Sequence, residues 1–335
     1  MPAEWEPHEA TWISWPRKEG QSFPDSYELV VPALVSMAVA IAESEILRIN
    51  ISTSEQEKEI RALLSSVAPM ERVEFFNIPT NEPWCRDHGP IFVKRSTAPT
   101  LAINDFGYNA WGGKYPPFDA DDIVPTTIAK RFGLPLFEPG FILEGGSVDP
   151  NGAGALLTTE SCLLNPNRNP SMTREQIEQG LRDYLGVDQI LWLGDGIEGD
   201  DTDGHVDDIT RFVSRSKVVT VVEPDKNDFN HLPLEENLQK LRAMVLTDGT
   251  PLTVIEIPMP QRIDREGLRL PASHANFYIA NTMVLLPAFG GRSDQVAASL
   301  LADLFPTRKI LPIDCRELIW GLGAFHCLTQ QQPLP

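Results

Sequence analysis

Apolar and polar positions along the chain switch repeatedly between two rhythms. Residues 27–43 are apolar on almost every side, which predicts a buried helix. Residues 46–51 form a short β-branched run that predicts a strand. Ser52, with Glu55 three residues on, predicts the capped start of an amphipathic helix. A strand over 72–76 then leads into a loop over 77–90. Helices are expected over 121–132, over 173–184 with Thr173 and Gln176 as its cap pair, over 234–245 and over 293–305. Strands are expected over 189–193, 217–222 and 282–287. A last strand-like run, 317–320, enters Gly321-Leu322-Gly323-Ala324-Phe325-His326-Cys327.

Helices recurring among short strands predict an α/β protein. No sequence signature repeats, so a repeat of structure is only suggested. The 335 residues allow one large domain or two ordinary ones. No linker interrupts them, and the whole chain, 1–335, reads as a single domain.

Charge narrows the partners. A formal net charge of -19 repels nucleic acid and anionic membrane and favours a small cation. None of the four cysteines forms a C-x-x-C pair, which argues against zinc-ribbon and thioredoxin chemistry. The first residues are acidic and aromatic, unlike a signal peptide. The longest apolar stretch, 29–42, contains Pro32 and Ser36 and reads as too short to span a bilayer. A cytoplasmic protein with reduced thiols is expected.

Five loops combine Gly or Pro with ionisable or aromatic residues. Residues 81–90 contain Trp84, Arg86 and Asp87. Residues 105–114 are aromatic and glycine-rich. Glu144-Gly145-Gly146 follows an apolar run, so Glu144 is expected to be partly buried and to need a partner. Residues 199–208 hold five aspartates and His205, with Asp207 two positions on. A metal site and a solvated acidic loop compete for that stretch. The fifth loop carries Cys327. Each has a bland reading: an ion pair bracing a loop, a surface turn, a buried core thiol. Together they offer a thiol, an imidazole and several carboxylates. Carboxylates raise a thiol pKa, so their surplus makes sense if the substrate is a cation that they bind while the thiol attacks it.

In order along nearly the whole chain, these loops resemble the agmatine deiminase family of the guanidino-group-modifying superfamily. The matching segments are Met1-Pro2-Ala3-Glu4-Trp5-Glu6-Pro7-His8-Glu9-Ala10-Thr11-Trp12, Trp84-Cys85-Arg86-Asp87-His88-Gly89-Pro90, Glu144-Gly145-Gly146-Ser147-Val148-Asp149, Thr202-Asp203-Gly204-His205-Val206-Asp207 and Gly323-Ala324-Phe325-His326-Cys327-Leu328-Thr329-Gln330-Gln331.

The resemblance implies a pentein fold, a pseudo-fivefold α/β propeller of ββαβ-type units with a central site. It implies hydrolysis of agmatine to N-carbamoylputrescine and ammonia, within putrescine biosynthesis, with no cofactor and no metal. Cys327 would attack the guanidinium carbon and form a covalent thiouronium. Asp87 and Asp207 would grip the guanidinium nitrogens. His205 would act as acid and then base, Glu144 would hold His205, Trp84 would line the entrance and Asp201 would meet the far ammonium. The family loop usually has three consecutive glycines; here Leu322 stands in the middle, where it is expected to keep ordinary backbone angles.

Peptidyl-arginine deimination, non-catalytic binding of guanidino compounds or polyamines, and a metal-dependent hydrolase with His205 and Asp207 as ligands are the alternatives. The presence of both Cys327 and His205 favours the enzyme over the binder. Arg86 is expected to serve as an internal partner of nearby carboxylates. A homo-oligomer is left open.

Overall fold

The computed structural model describes residues 1–335. Five sheets repeat one pattern, an antiparallel pair followed by a parallel one. Thr329–Pro333 pairs antiparallel with His8–Ser14, which pairs parallel with Ile46–Ile51, and Val73–Asn77 adds a further parallel strand. Next come Ile91–Lys94, Leu101–Asn104 and Leu136–Phe137. The third sheet is Asp149–Pro150, Ala155–Thr159 and Gln189–Leu193. The fourth is Thr210–Ser214, Lys217–Val222 and Thr253–Pro258. The fifth is Tyr278–Ile279, Met283–Ala288 and Lys309–Asp314.

Parallel neighbours cannot be joined by a tight turn, so each parallel pair needs a crossover. Helices Tyr27–Ser44, Ser54–Leu64, Val124–Phe132, Arg174–Leu185, His231–Ala243 and Arg292–Leu304 supply them. The central strands are buried runs such as Leu156–Leu157 and Val284–Leu286, as strands covered on both faces require. The mixed α/β class expected from the sequence is the one observed.

Three local expectations need correction. The helix at 54 is capped by Thr53, whose hydroxyl accepts from Gln56 N at 3.1 Å. The Gln56 side chain reaches back to Ser52 N, so the box sits one residue later than Ser52 and Glu55 suggested. The helix expected from 121 is broken into a turn, Asp119–Asp122, and a helix, Val124–Phe132, that starts at a proline, where a missing N–H costs nothing. The run at 317–320 is a helical turn, Leu318–Gly321, which lets both Leu318 and Ile319 face the core instead of opposite sides of a sheet.

The apolar helix Tyr27–Ser44 runs through Pro32 and Ser36. At 18 residues and mean hydropathy 1.5 it is long and apolar enough to cross a membrane. Here it buries Val30, Leu34, Met37 and Ile41 in one core with Leu47, Ile49 and Leu285.

Candidate functional site

Four separate chain segments deliver carboxylates, an imidazole and a thiol to one place. A single helical turn, Cys85–His88, sends Asp87 inward. Its carboxylate accepts from Trp111 Nε1 and from Gly146 N, both at 3.0 Å. Gly146 is where the segments meet. A Cβ built there would lie 2.6 Å from His205 Nδ1, 2.8 Å from Asp87 Oδ1 and 3.0 Å from Asp207 Oδ2. Only glycine lets these three side chains converge around a backbone.

The Cys327 loop uses its glycines differently from what the sequence suggested. Leu322 itself holds the left-handed conformation, at φ 68° and ψ 17°. Gly321 and Gly323 do not require positive φ. They are small because Trp84 and Phe23 press on them: a Cβ on Gly323 would lie 2.6 Å from the Trp84 ring, and one on Gly321 would lie 2.5 Å from Phe23. The following turn, Phe325–Leu328, presents Cys327. Its sulfur lies 3.7 Å from Asp207 Oδ2 and receives the Asn276 amide at 3.0 Å.

Behind these groups lies a buried ionic cluster that sequence reasoning missed. Glu4 Oε2 meets His326 Nε2 at 2.7 Å, Arg211 at 2.9 Å and Arg86 at 3.2 Å. Its other oxygen accepts from Ile279 N. Arg86 also donates to Gln331, so it is an internal partner, as expected. His326 Nδ1 meets Asp207 Oδ2 at 2.6 Å. Glu4 and His326 both stand inside quoted motifs, yet nothing local marks a contact spanning 322 residues.

The electrostatics follow from burial and neighbours. Burial and the charges of Asp207, Asp208 and Asp87 hold the Cys327 thiol well above its ordinary pKa, with only the Asn276 bond opposing. Burial pushes Asp87 up to about 6 despite His205, with Asp207 and Glu144 adding to the rise. Asp207 goes the other way: burial opposes ionisation, but His326, His205 and Arg211 hold it below the usual range. His205 is raised well above its ordinary value; burial disfavours its charge, and Asp87, Cys162 and Asp207 outweigh that.

A cavity of about 200 Å³ opens onto the thiol. Its lining includes Cys327, Asp87, Trp84, Asp201, Glu82 and Trp111, and contains no Lys, Arg or His. Cys327, Asp87 and Trp84 are nearly buried, whereas Trp320 is half-buried and Leu268 is exposed, so the thiol lies at the floor. Asp201 accepts a hydrogen bond from the Tyr115 hydroxyl. Glu82 is occupied by Gln21 N and Ser22 N. Lys114 is bound to Asp203 and does not line the cavity.

His205 is fully buried with its Nδ1 3.6 Å from Asp87 Oδ1. Neither of its ring nitrogens has a hydrogen-bond partner, nor do Asp207 Oδ1 and Glu144 Oε2. Glu144 is wholly buried and does have the partner its burial required: Arg168 holds its Oε1 at 2.6 Å. Arg168 also reaches Asp203 and Thr202 O, tying the Glu144 loop to the His205 loop. Two triads have donor atoms close enough together to hold a metal ion, Glu144-Cys162-His205 and Asp207-Asp208-Cys327. His205 and Asp207 fall in different triads.

A buried thiol on a cavity floor, faced by carboxylates in an α/β chain of repeated strand–helix units, makes a site suited to a small cation. Comparison with known proteins places it more closely. Residues 1–333 match the family model of Porphyromonas-type peptidyl-arginine deiminase. The agmatine deiminase of Ectopseudomonas mendocina is 35% identical over 362 residues, covering 100% of this chain and 95% of that protein. A structure of Enterococcus faecalis agmatine deiminase catalysing its reaction superposes with TM-score 0.92 at 33% identity, covering 99% of this chain and 95% of that one. A cysteine-to-serine variant of C. jejuni agmatine deiminase with substrate bound superposes with TM-score 0.90 at 30% identity, covering 99% and 95%. The chain belongs to the Porphyromonas-type peptidyl-arginine deiminase family.

Proposed function

We propose that this protein hydrolyses the guanidino group of agmatine to N-carbamoylputrescine and ammonia through a covalent intermediate on Cys327. The observation that carries the reading is the cavity lining: a thiol with Asp87 and Asp201 and no basic side chain. Such a site stabilises a dication and repels an anion.

The roles follow from the charges. Burial and its carboxylate neighbours hold the free thiol protonated. A guanidinium seated between Asp87 and the free Oδ1 of Asp207 brings the positive charge that favours the thiolate, and the thiol proton passes to solvent. The thiolate bonds to the guanidinium carbon. The carbon–nitrogen bond breaks and His205 gives its proton to the departing ammonia. A water molecule then gives a proton back to His205 and bonds to the same carbon. The carbon–sulfur bond breaks, freeing N-carbamoylputrescine and the thiol. Glu144 and Asp87 sustain the charge on His205, Trp84 walls the cavity beside the thiol, and Asp201 receives the terminal ammonium.

The repeated antiparallel-then-parallel sheets and the full-length superpositions support the pseudo-fivefold pentein arrangement of a single domain. The four free, buried cysteines fit a reducing, cytoplasmic setting.

Peptidyl arginine is the second reading, favoured by the family description. Ammonia release from agmatine, free arginine and an arginine peptide, measured side by side, separates the two. Agmatine should lead; a faster peptide would overturn the proposed substrate.

A further inference from the structure

We propose that Glu4 and His326 are positioning residues, forming a carboxylate–imidazolium–carboxylate relay that keeps Asp207 charged and correctly turned toward the substrate. The proposal rests on the reading of Asp207 and Cys327 given above.

The geometry fixes the protons. A neutral imidazole has a single N–H. Both ring nitrogens of His326 face carboxylate oxygens, Asp207 Oδ2 at 2.6 Å and Glu4 Oε2 at 2.7 Å. Either both nitrogens carry protons or one carboxyl does. Glu4 is not the acid, because Arg211 and Arg86 share the same Oε2. A protonated Asp207 could still donate to Nδ1, but it would lose the ion pair and its anionic grip on a guanidinium. The relay therefore assigns both protons to the ring, which is held between two carboxylates and 2% exposed.

The relay solves a problem of crowding. Asp207 is fully buried beside Asp208 and Asp87, and burial and those carboxylates favour its neutral form. A neutral acid grips a guanidinium far less well than a carboxylate. His326 supplies the missing cation and consumes only Oδ2, leaving Oδ1 unpartnered for a substrate nitrogen. The backbone of the same turn is pinned by Asn276, whose Oδ1 accepts from His326 N at 3.1 Å. One turn thus places the thiol and orients the carboxylate beside it. The charged groups that face His326 are Asp207 and Glu4, with Arg86 and Arg211 acting through Glu4, and Asp208 through Asn276.

The test uses the full-length protein and two variants, His326→Gln and Glu4→Gln. In ¹⁵N-histidine NMR of the wild type at pH 7, one ring that is absent from His326→Gln should show both nitrogens protonated. In His326→Gln, kcat/KM at pH 7 should fall at least about tenfold. Its acid limb should also move up by about one pH unit, because Asp207 then holds its proton longer. Glu4→Gln should instead bring activity loss in from the alkaline side, as the ring loses one of its two anions. A neutral His326 signal, or variants that lose activity equally at every pH, would overturn the relay. Should His326→Gln not fold, the ring whose signal shifts in Glu4→Gln identifies His326 and its protonation decides; should Glu4→Gln not fold, the assignment from His326→Gln decides. Cys327→Ala is the companion measurement: ammonia release by that variant would sink the underlying reading, whereas an inactive Cys327→Ala with a neutral His326 would sink only the relay.

Discussion

Gly323 lies directly against the indole of Trp84: a single methyl group added at that glycine would come within 2.6 Å of the ring and within 3.1 Å of Cys327 Cβ. Between the two glycines of the loop, Leu322 takes the left-handed turn that an L-residue resists. Tight packing, more than backbone freedom, therefore sets the thiol's position.

Two substitutions separate these contributions. Gly323→Ala must displace Trp84 or Cys327, and kcat should fall at least about 100-fold, since small misplacements of a reacting atom cost that much. Leu322→Gly relieves roughly 1 kcal/mol of strain and should keep activity within about threefold. Steady-state ammonia release decides, and the opposite order would show that loop conformation matters more than the Trp84 contact.

Cys327→Ser should abolish turnover while agmatine still binds, measured by calorimetry, because a hydroxyl is a far poorer nucleophile without a strong base. Cys85 and Cys315 are the controls; both are buried away from the cavity, and serine there should leave kcat nearly unchanged. Cys162 makes a poor control because it sits against Glu144 and His205.

Asp87 gives a pH prediction whose sign is fixed. Its folded pKa is raised to about 6 from the ordinary 3.8, chiefly by burial. Ionising it therefore costs stability, a cost absent below about pH 4 and complete above about pH 7. Asp87→Asn should be inactive yet more stable by about 1 kcal/mol at pH 8, after allowing for one poorer hydrogen bond. At pH 4 the two proteins should unfold alike. In the wild type, kcat/KM should decline as pH falls through about 6. Denaturant melts at the two pH values check the first statement and a pH–rate profile the second.

Substrate choice should follow the lining. With no basic side chain to receive a carboxylate, arginine should be used at least about 100-fold less well than agmatine, a difference of nearly 3 kcal/mol. Asp201→Asn should raise KM for agmatine about tenfold and leave butylguanidine, which lacks the amine, almost unaffected. Equal losses for both compounds would remove Asp201 from the tail site.

The crossover helices and one flanking strand of most of them were legible in the sequence because burial on one or both faces leaves a plain apolar rhythm, as in Arg174–Leu185 with its Thr173 cap; partner strands such as Ala155–Thr159, Thr253–Pro258 and Lys309–Asp314 were not read. Boundaries slipped where one side chain served two purposes, as Gln56 does. The residues quoted from motifs, Cys327, Asp87, Asp207, His205 and Glu144, converge on one region. The second layer was illegible. Glu4 looks like part of an acidic terminus, Arg168 lies in an Asn- and Pro-rich run, and His326 stands beside a more conspicuous cysteine. Each acts through a partner far along the chain, and a buried charge announces itself only when its counter-charge is seen. The stress in the nucleophile loop was misread for a related reason: Leu322 carries positive φ because Trp84 already claims the space at both glycines.

The pairing of Thr329–Pro333 with His8–Ser14 also sets an order in time. A ribosome makes residues 8–14 more than about 300 residues before residues 329–333. The earlier strand must wait, with one edge open, until the later one has been made. Glu4 waits with it for His326. An unfinished or stalled chain therefore holds neither the thiol nor the ion cluster behind it, however well its middle units have folded. Catalytic competence then appears in a single step, once the segment that carries both His326 and the 329–333 strand has been made.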